Sequence, residues 1–315
     1  MSEILEQTAF LEDVISGLQS KTKRISSKYF YDHIGSEIFQ QIMDMEEYYL
    51  PSCEKSILEN KAKNIVGAIN SDTVQVLELG AGDGTKTSIL LEKFMELGKE
   101  VAYFPMDISA DILKFNQKYL AEQLPQLPVT PIVGDYHRTL TEFPQKNGTK
   151  LILFLGSNIG NFNKDEALSF LKFVKGCMKS GDYFLLAADL KKNPKQILNA
   201  YNDPAGLTKQ FNMNLLERIN RELNGNFDLN YFDHYATYNP LDGLAQSFLV
   251  SLQKQEITIE GNPFQFEKYE VIHTEISKKY DATELRQLME TAGFKSKEMY
   301  YDPNNWYTLA LGEAQ

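Results

Sequence analysis

The stretch Val74-Gln-Val-Leu-Glu-Leu-Gly-Ala-Gly-Asp-Gly-Thr-Lys86 decides the fold of this chain. It begins as an apolar strand, reaches an acid at Glu78, and then has glycine at every second position from Gly80 to Gly84. Glycines have no Cβ, so the backbone can turn sharply there and approach a ligand closely. The run Thr87–Phe94 that follows has helical spacing, so the loop lies at a helix N-terminus. The stretch predicts the first strand–loop–helix unit of a nucleotide-binding sheet.

Residues around this loop narrow the class of nucleotide. Thr85 stands where a dinucleotide-binding loop has its third glycine. The run Val101–Asp107 predicts a second strand that ends in an acid able to bind ribose hydroxyls. The run Val129–Asp135 predicts a third strand whose terminal acid suits an adenine amino group. A glycine loop followed by two such acids resembles the S-adenosylmethionine-dependent methyltransferases. A NAD-dependent enzyme and a structural turn without a ligand are the alternatives.

Composition excludes several other classes of protein. The chain has 315 residues, of which 43% are hydrophobic and 24% charged, enough for one large or two ordinary domains. Its net charge of −11, without a basic block, argues against a nucleic-acid partner. No apolar run has the length of a membrane span, and the first residues do not form a signal peptide. Cys53 and Cys177 suggest neither a disulfide framework nor a metal site. We expect a cytoplasmic, monomeric enzyme that acts on a small molecule.

Strand and helix patterns alternate beyond Asp135. The apolar runs Lys150–Gly156 and Tyr183–Asp189 are typical of strands buried on both faces of a parallel sheet. This order predicts an α/β fold with a doubly wound, Rossmann-like sheet, in which ligands bind at the carboxyl ends of the strands. Asn158 and Asn161 follow one such end, where they either face the ligand or serve the turn.

The pattern changes after Asp189 and again near residue 281. Residues 194–224 are predicted as polar helices, and residues 232–280 contain short alternating runs that predict antiparallel strands. A helix and two strands then complete the sheet. We therefore predict a class I methyltransferase domain of residues 54–189 and 281–315, and a smaller α+β substrate-recognition domain of residues 1–53 and 190–280.

Seven segments, in order along nearly the whole chain, resemble the histidine Nα-methyltransferases. They are Tyr29–Ser36, Glu47–Tyr49, Glu78–Gly82, Phe154–Asn161, Tyr201–Asn212, Asn220–Leu223 and His273–Ser277. That family makes trimethylhistidine (hercynine) for ergothioneine biosynthesis. The resemblance implies an S-adenosylmethionine-dependent enzyme that methylates the α-amino group of free L-histidine.

The resemblance also implies a role for each matched residue. Two tyrosines line the amine and are the catalytic candidates: Tyr31 and Tyr48. Two residues hold the substrate carboxylate: Asn161 and Tyr201. Two recognise the imidazole: Glu275 and Ser277. The implied cofactor-binding residues are Glu78, Gly80, Gly82, Lys86, Asp107, Asp135 and Tyr136.

One substrate position departs from the family pattern. Ser247 stands where the family has a methionine beside the imidazole, and a smaller polar wall could admit a larger side chain. Histidine is the first choice of substrate, with tryptophan or another amino acid as an alternative. A degenerate methyltransferase fold that only binds ligands is the second alternative.

Overall fold

The computed structural model describes residues 2–144 and 147–315, with side chains from Gln7 onward. The chain divides into two compact units. The smaller unit comprises Met1–Tyr49 and Lys192–Lys278, and the larger unit comprises Leu50–Lys191 and Lys279–Gln315. The sequence predicts divisions after residues 53, 189 and 280, whereas the units divide after residues 49, 191 and 278.

Helices and strands are numbered here in chain order. The helices are α1 (Ser2–Gln19), α2 (His33–Met43), α3 (Leu50–Gly67), α4 (Thr87–Glu96), α5 (Ala110–Gln123), α6 (Tyr136–Glu142), α7 (Lys164–Gly176), α8 (Pro194–Tyr201), α9 (Leu207–Glu222) and α10 (Ala282–Thr291). The strands are β1 (Thr73–Leu79), β2 (Glu100–Asp107), β3 (Ile132–Val133), β4 (Thr149–Phe154), β5 (Tyr183–Asp189), β6 (Phe232–Asn239), β7 (Leu244–Ser251), β8 (Gln255–Ile259), β9 (Asn262–Phe266), β10 (Val271–Lys278), β11 (Phe294–Tyr301) and β12 (Tyr307–Ala314). No helix in the described part of the chain combines the length and apolar character needed to cross a bilayer.

The larger unit is built on a seven-stranded sheet in the order β11-β12-β5-β4-β1-β2-β3. Strands β1 to β5 pair in parallel, whereas β12 runs antiparallel to β5 and β11 antiparallel to β12. Every residue of β5 is buried, as expected of a strand covered on both faces. The doubly wound α/β fold is therefore confirmed. The carboxyl ends of β1, β2 and β4 lie side by side, which is where this class of sheet binds ligands.

The third strand is shorter than predicted. A seven-residue strand over Val129–Asp135 was expected, but the strand comprises only Ile132–Val133. Pro131 divides the segment because proline has no N–H to donate to the neighbouring strand. Val129 still forms an isolated bridge with Tyr103 of β2.

The smaller unit contains a three-stranded antiparallel sheet in the order β10-β7-β6 and the hairpin β8–β9. The hairpin turns at Glu260 and Gly261, which both have positive φ, as a two-residue turn matched to the strand twist requires. Helix α9 packs against both β6 and β7, and its apolar side chains join the core of this unit. The buried face of the sheet alternates regularly along β7, where the odd-numbered residues from Ala245 to Ser251 are buried.

A fully buried ion pair links the end of β5 to Lys279, where the chain re-enters the larger unit. Lys279 Nζ lies 2.8 Å from Asp189 Oδ2, and neither side chain is exposed. The backbone continues the contact, since Tyr280 N donates to Asp189 O at 2.9 Å and Lys191 N donates to Tyr280 O at 2.8 Å. Because a buried charge is costly without its counter-ion, the two segments depend on each other for stability.

Replacing Lys279 with methionine should destabilise the larger unit by about 3–5 kcal/mol, because the charge of Asp189 then stays buried without its ion-pair partner. Urea unfolding followed by the fluorescence of Trp306, the sole tryptophan of the chain and a residue of this unit, measures the change. Lys114→Met, which removes an exposed ion pair with Asp111 in the same unit, is the matched control and should cost less than about 1 kcal/mol. Equal losses in the two variants would contradict the prediction.

Candidate active site

The glycine loop that follows β1 has the open conformation that its sequence predicts. Gly80, Gly82 and Gly84 have φ of +69°, +55° and +77°. The loop is anchored to β2, since Gly80 N donates to Met106 O at 2.9 Å. A Cβ added at Gly84 would lie 2.7 Å from the side-chain nitrogen of Asn116, whereas one added at Gly82 would meet no described atom within 4 Å. The backbone at Gly82 therefore borders open space that a ligand can occupy.

Two acids stand at the ends of the neighbouring strands. Asp107, the last residue of β2, accepts a hydrogen bond from Gly82 N at 3.2 Å, so its carboxylate lies against the glycine loop. Asp135 precedes α6 and caps it by accepting from His137 N at 2.8 Å. Ile108 directly follows Asp107 and is 76% exposed. This apolar surface beside a carboxylate was missed at the sequence level, because an isoleucine after a strand carries no signal of exposure.

Glu78 and Lys86 have partners within the protein. The carboxylate of Glu78 is buried under the loop, where it accepts from the hydroxyls of Thr87, at 2.8 Å, and Tyr103. Burial raises the pKa of Glu78 to about 7, although the two hydroxyls and the charge of Lys86 oppose that rise. Lys86 forms an ion pair with Glu54 and keeps a third of its side chain exposed. Glu78 thus stabilises the start of α4 through Thr87, and Lys86, at the N-cap of that helix, is paired with Glu54.

The loop after β4 lies beside the glycine loop. Residues Asn158–Asn161 form a single 3₁₀ turn, and the side-chain nitrogen of Asn158 is 3.9 Å from the position of a Cβ on Gly80. Asn161 is exposed at the end of this turn. Tyr136, at the start of α6, is half-buried, with its ring 5.6 Å from that of Phe170. These predicted residues share the ligand-binding edge of the larger unit.

The smaller unit gathers its predicted substrate residues along a row of aromatic rings. Tyr31 contacts Phe39 with ring centroids 5.3 Å apart, Phe39 contacts Tyr48 at 6.1 Å, and Tyr48 contacts Tyr201 at 6.3 Å. All three contacts are edge-on, a favourable geometry for aromatic pairs. The row ends where the hydroxyl of Tyr201 donates to Ser277 Oγ at 2.8 Å. Elements that are distant in sequence therefore bring three predicted tyrosines and Ser277 together.

A β-bulge sets which side chains of β10 face this row. Before the bulge Ile272 pairs with Leu249 of β7, and after it Glu275 pairs with Ser247. Three positions separate Ile272 from Glu275, so a regular strand would point them to opposite faces. The extra residue, Thr274, restores them to one face, and its hydroxyl lies 3.0 Å from the carbonyl oxygen of Ser247. The bulge thus places Glu275 opposite Ser247 on the buried face of the sheet.

Ser277 follows Glu275 by two residues on the same face, as predicted. The charge of Glu275 reaches the aromatic row, since the pKa of Tyr31 is raised first by desolvation and then by the negative charge of Glu275. Ser247 is buried, and its Oγ has no hydrogen-bond partner among the described residues. A buried hydroxyl without a partner costs about 1–3 kcal/mol, so this position favours a polar ligand or a bound water.

Comparison with known proteins supplies the family. A family model described as histidine-specific methyltransferase, SAM-dependent, matches residues 10–314. The chain belongs to this family. The predicted S-adenosylmethionine cofactor and the methyltransferase class are thereby confirmed, and the NAD-dependent alternative is set aside.

Three named proteins are similar to this chain over most of its length. A protein named histidine N-alpha-methyltransferase, from Mycobacterium tuberculosis, is 33% identical over 96% of this methyltransferase and 94% of its own length. The ergothioneine biosynthesis protein 1 of Schizosaccharomyces pombe is 30% identical over 95% of this chain but 40% of its own length. An L-tryptophan methyltransferase from Psilocybe serbica is 28% identical over 96% and 91%, respectively.

The larger unit of the methyltransferase has the features that this cofactor needs. The open space at Gly82 can admit a ligand close to the backbone, and Asp107 offers a carboxylate to hydroxyl groups at the loop. The exposed side chain of Ile108 offers an apolar surface to a flat base, and Asp135 follows the adjoining strand β3 by two residues, at the N-cap of α6. Carboxylates around the loop also favour a cationic sulfonium. These residues fit S-adenosylmethionine.

Gly82→Ala should weaken S-adenosylmethionine binding at least roughly tenfold, because the methyl group would occupy the space over the loop. Titration calorimetry measures the affinity. Gly98→Ala is the matched control, since Gly98 also has positive φ (+72°) and no described neighbour within 4 Å, but lies beyond α4. Both variants carry a similar backbone strain of about 1–2 kcal/mol. A similar loss of affinity in both would show that strain, and not the ligand space, is responsible.

A buried histidine gives the smaller unit a defined dependence on pH. His234 of β6 pairs with Leu249 and lies on the same sheet face as Ser247. Its Nε2 has no partner among the residues the structure describes. Burial lowers the pKa of His234 from 6.5 to about 4, although the negative charges of Asp233 and Asp203 oppose that shift. The imidazole is therefore buried in its neutral form.

Because unfolded chains bind this proton near pH 6.5 and the folded protein resists it to about pH 4, the contribution of His234 to stability is complete above pH 6.5. It is lost as the pH falls through that interval, by up to about 3 kcal/mol. His234→Gln, which cannot be protonated, should flatten this loss. Urea unfolding of both proteins at pH 7 and pH 4.5, followed by tyrosine fluorescence, measures the difference. The same pH dependence in both would exclude His234 as its source.

Proposed function

We propose that this methyltransferase transfers methyl groups to the α-amino group of free L-histidine. The observation that carries the proposal is the arrangement of Glu275 and Ser277 on one face of β10, beside the row of tyrosines. The family match and the relatives named for histidine methylation support the same substrate.

Recognition of the ring rests on Glu275. Its carboxylate can accept a hydrogen bond from an imidazole N–H, while the hydroxyl of Ser277 can donate to or accept from the other side of the ring. A site built to bind an N–H strongly rejects side chains that lack one, because its own polar groups would be left unsatisfied. This arrangement therefore favours histidine over aliphatic amino acids.

We propose that Tyr201 of the smaller unit holds the substrate carboxylate; Asn161, to which the sequence gives the same role, belongs to the larger unit. The hydroxyl of Tyr201 donates to Ser277 in the structure, and we propose that it turns to the carboxylate when substrate binds. A phenol and an amide both donate hydrogen bonds without adding a charge.

The methyl transfer asks mainly for positioning. Bound S-adenosylmethionine supplies a methyl group already activated on its sulfonium sulfur. The α-ammonium of the substrate must lose a proton before each attack, and the phenol of Tyr31 is protonated at neutral pH, as tyrosines ordinarily are. Tyr31 therefore orients the amine as a neutral group, and the proton leaves to water. A methylated ammonium gains about 0.5–2 kcal/mol from aromatic faces, so we propose repeated methylation to hercynine, with Tyr48 as part of the wall.

A specific observation favours one alternative substrate. Ser247, opposite Glu275, is small, and Ala236 lies across from it on β6, so the sheet face beside the carboxylate has little bulk. The indole of tryptophan is larger than imidazole and also carries one N–H for Glu275. An L-tryptophan methyltransferase is among the relatives.

A screen with methyl-deuterated S-adenosylmethionine and the twenty amino acids tests the proposal. Mass spectrometry identifies the methylated product and counts its methyl groups. Trimethylated histidine as the main product supports the proposal, and methylated tryptophan would replace it with the alternative. Cofactor binding without methyl transfer to any amino acid would support the other alternative, a degenerate methyltransferase fold that only binds ligands.

Glu275→Gln should raise the KM for histidine by roughly 10–100-fold, because a charged acceptor for the ring N–H is lost. The affinity for S-adenosylmethionine should not change. Glu256→Gln, on the exposed side of the hairpin in the same unit, is the matched control and should leave both constants unaltered. Unaltered histidine kinetics in Glu275→Gln would refute the assignment of the imidazole.

A further inference from the structure

Glu54 is a buried acid of α3 that connects three segments of the larger unit. Its Oε1 accepts hydrogen bonds from Gly156 N at 2.7 Å and from the hydroxyl of Tyr307 at 2.8 Å. Its Oε2 forms the ion pair with Lys86. The side chain is 1% exposed. One carboxylate therefore joins the N-cap of α4, the loop after β4 and the first residue of β12.

Burying a carboxylate lowers the stability of the folded protein unless charged and hydrogen-bonding partners compensate for the lost hydration. A carboxylate taken out of water loses several kcal/mol of hydration, and only close charged and hydrogen-bonding partners restore it (about 3–5 kcal/mol is lost when one partner of a buried pair is removed). Glu54 has a cation, a backbone amide and a hydroxyl. Lys86 in turn has a raised pKa, since the negative charges of Glu54 and Glu78 outweigh its burial.

Two of the three partners of Glu54, Lys86 and Gly156, belong to the two loops that form the ligand edge. Lys86 ends the glycine loop, and Gly156, with φ of +74°, begins the loop that carries Asn158. The two loops meet where Asn158 approaches Gly80. Residues that fix the orientation of a binding group are needed for affinity even when they do not touch the ligand.

We propose that Glu54 is a positioning residue that locks the glycine loop and the loop after β4 into the arrangement that binds S-adenosylmethionine. It acts from beneath the loops, through Lys86 and Gly156. Its charge is balanced by Lys86, so it does not select for the positive sulfonium. The inference concerns the cofactor and is independent of which amino acid is methylated.

Two ligands that differ in charge can separate a positioning role of Glu54 from a direct attraction between its carboxylate and the sulfonium. S-Adenosylhomocysteine has the same nucleoside and amino-acid groups as the methyl donor but a neutral thioether. Loss of positioning should weaken both ligands, whereas loss of a negative charge that attracts the sulfonium should weaken the donor alone.

Glu54→Gln keeps an oxygen for Gly156 and Tyr307 but removes the charge that holds Lys86. We expect calorimetry on the purified full-length protein to show a loss of at least roughly tenfold in affinity for both ligands. In the ligand-free protein, hydrogen exchange at the Gly156 amide and in residues 80–86 should become faster. Asp182→Asn is the matched control, because Asp182 is also fully buried in this unit and accepts two backbone amides, from Lys150 and Lys179. It should change neither readout.

Unchanged affinity for both ligands, or weakening confined to S-adenosylmethionine, would overturn the proposal. So would faster loop exchange of the same size in Asp182→Asn. If Glu54→Gln does not fold, Tyr307→Phe removes a single hydroxyl and keeps the charge. Tyr307→Phe should accelerate hydrogen exchange at the Gly156 amide and weaken the affinity for both ligands by roughly threefold. The absence of both effects would also overturn the proposal.

Discussion

The turn from β1 into α4 requires three backbone positions at positive φ within five residues, and only glycine takes such positions without strain. The ligand-binding edge of the larger unit follows from that turn. Because the loop turns tightly, Gly82 N can reach the carboxylate of Asp107, and Gly80 can reach Met106 on the neighbouring strand. Among the described residues the same turn leaves no atom within 4 Å of a Cβ at Gly82, so the backbone itself lines the space for the cofactor.

In the smaller unit a single extra residue has a comparable effect. Thr274 adds one position to β10, and that position decides whether Glu275 faces the tyrosine row or the opposite side of the sheet. The hydroxyl of Thr274 lies 2.7 Å from Asn212 Oδ1 on α9, so the bulge is fixed from both sides. Substrate recognition in this unit thus depends on strand register as much as on the identity of the acid.

Patterns within one segment predicted most of the fold. Continuous apolar runs identified the buried strands, and glycine spacing identified the cofactor loop. The predicted length of β3 was wrong because a hydrophobicity pattern does not show that Pro131 lacks the N–H needed to pair with a neighbouring strand. The bulge was not predictable, since Thr274 fits the alternation of an ordinary strand. Glu54 was missed for another reason: its partners lie up to 253 residues away, and an acid in a helix otherwise indicates a solvated surface.

The buried ionisable groups of the two units oppose one another in their pH dependence. The pKa of Glu78 is raised from 4.5 to about 7, so its contribution to stability is complete below pH 4.5 and is lost as the pH rises to 7. The pKa of His234 is lowered, so its contribution is lost in the other direction, as the pH falls from 6.5 to 4. As the pH falls across this range, the contribution of Glu78 is regained while that of His234 is lost. A single unfolding curve for the whole chain would hide both effects, whereas Trp306, which lies in the larger unit, reports that unit alone. Ionising the buried carboxylate of Glu78 near neutral pH is unfavourable. The hydroxyls of Thr87 and Tyr103 reduce this cost, because each donates a hydrogen bond that stabilises the carboxylate in its charged form.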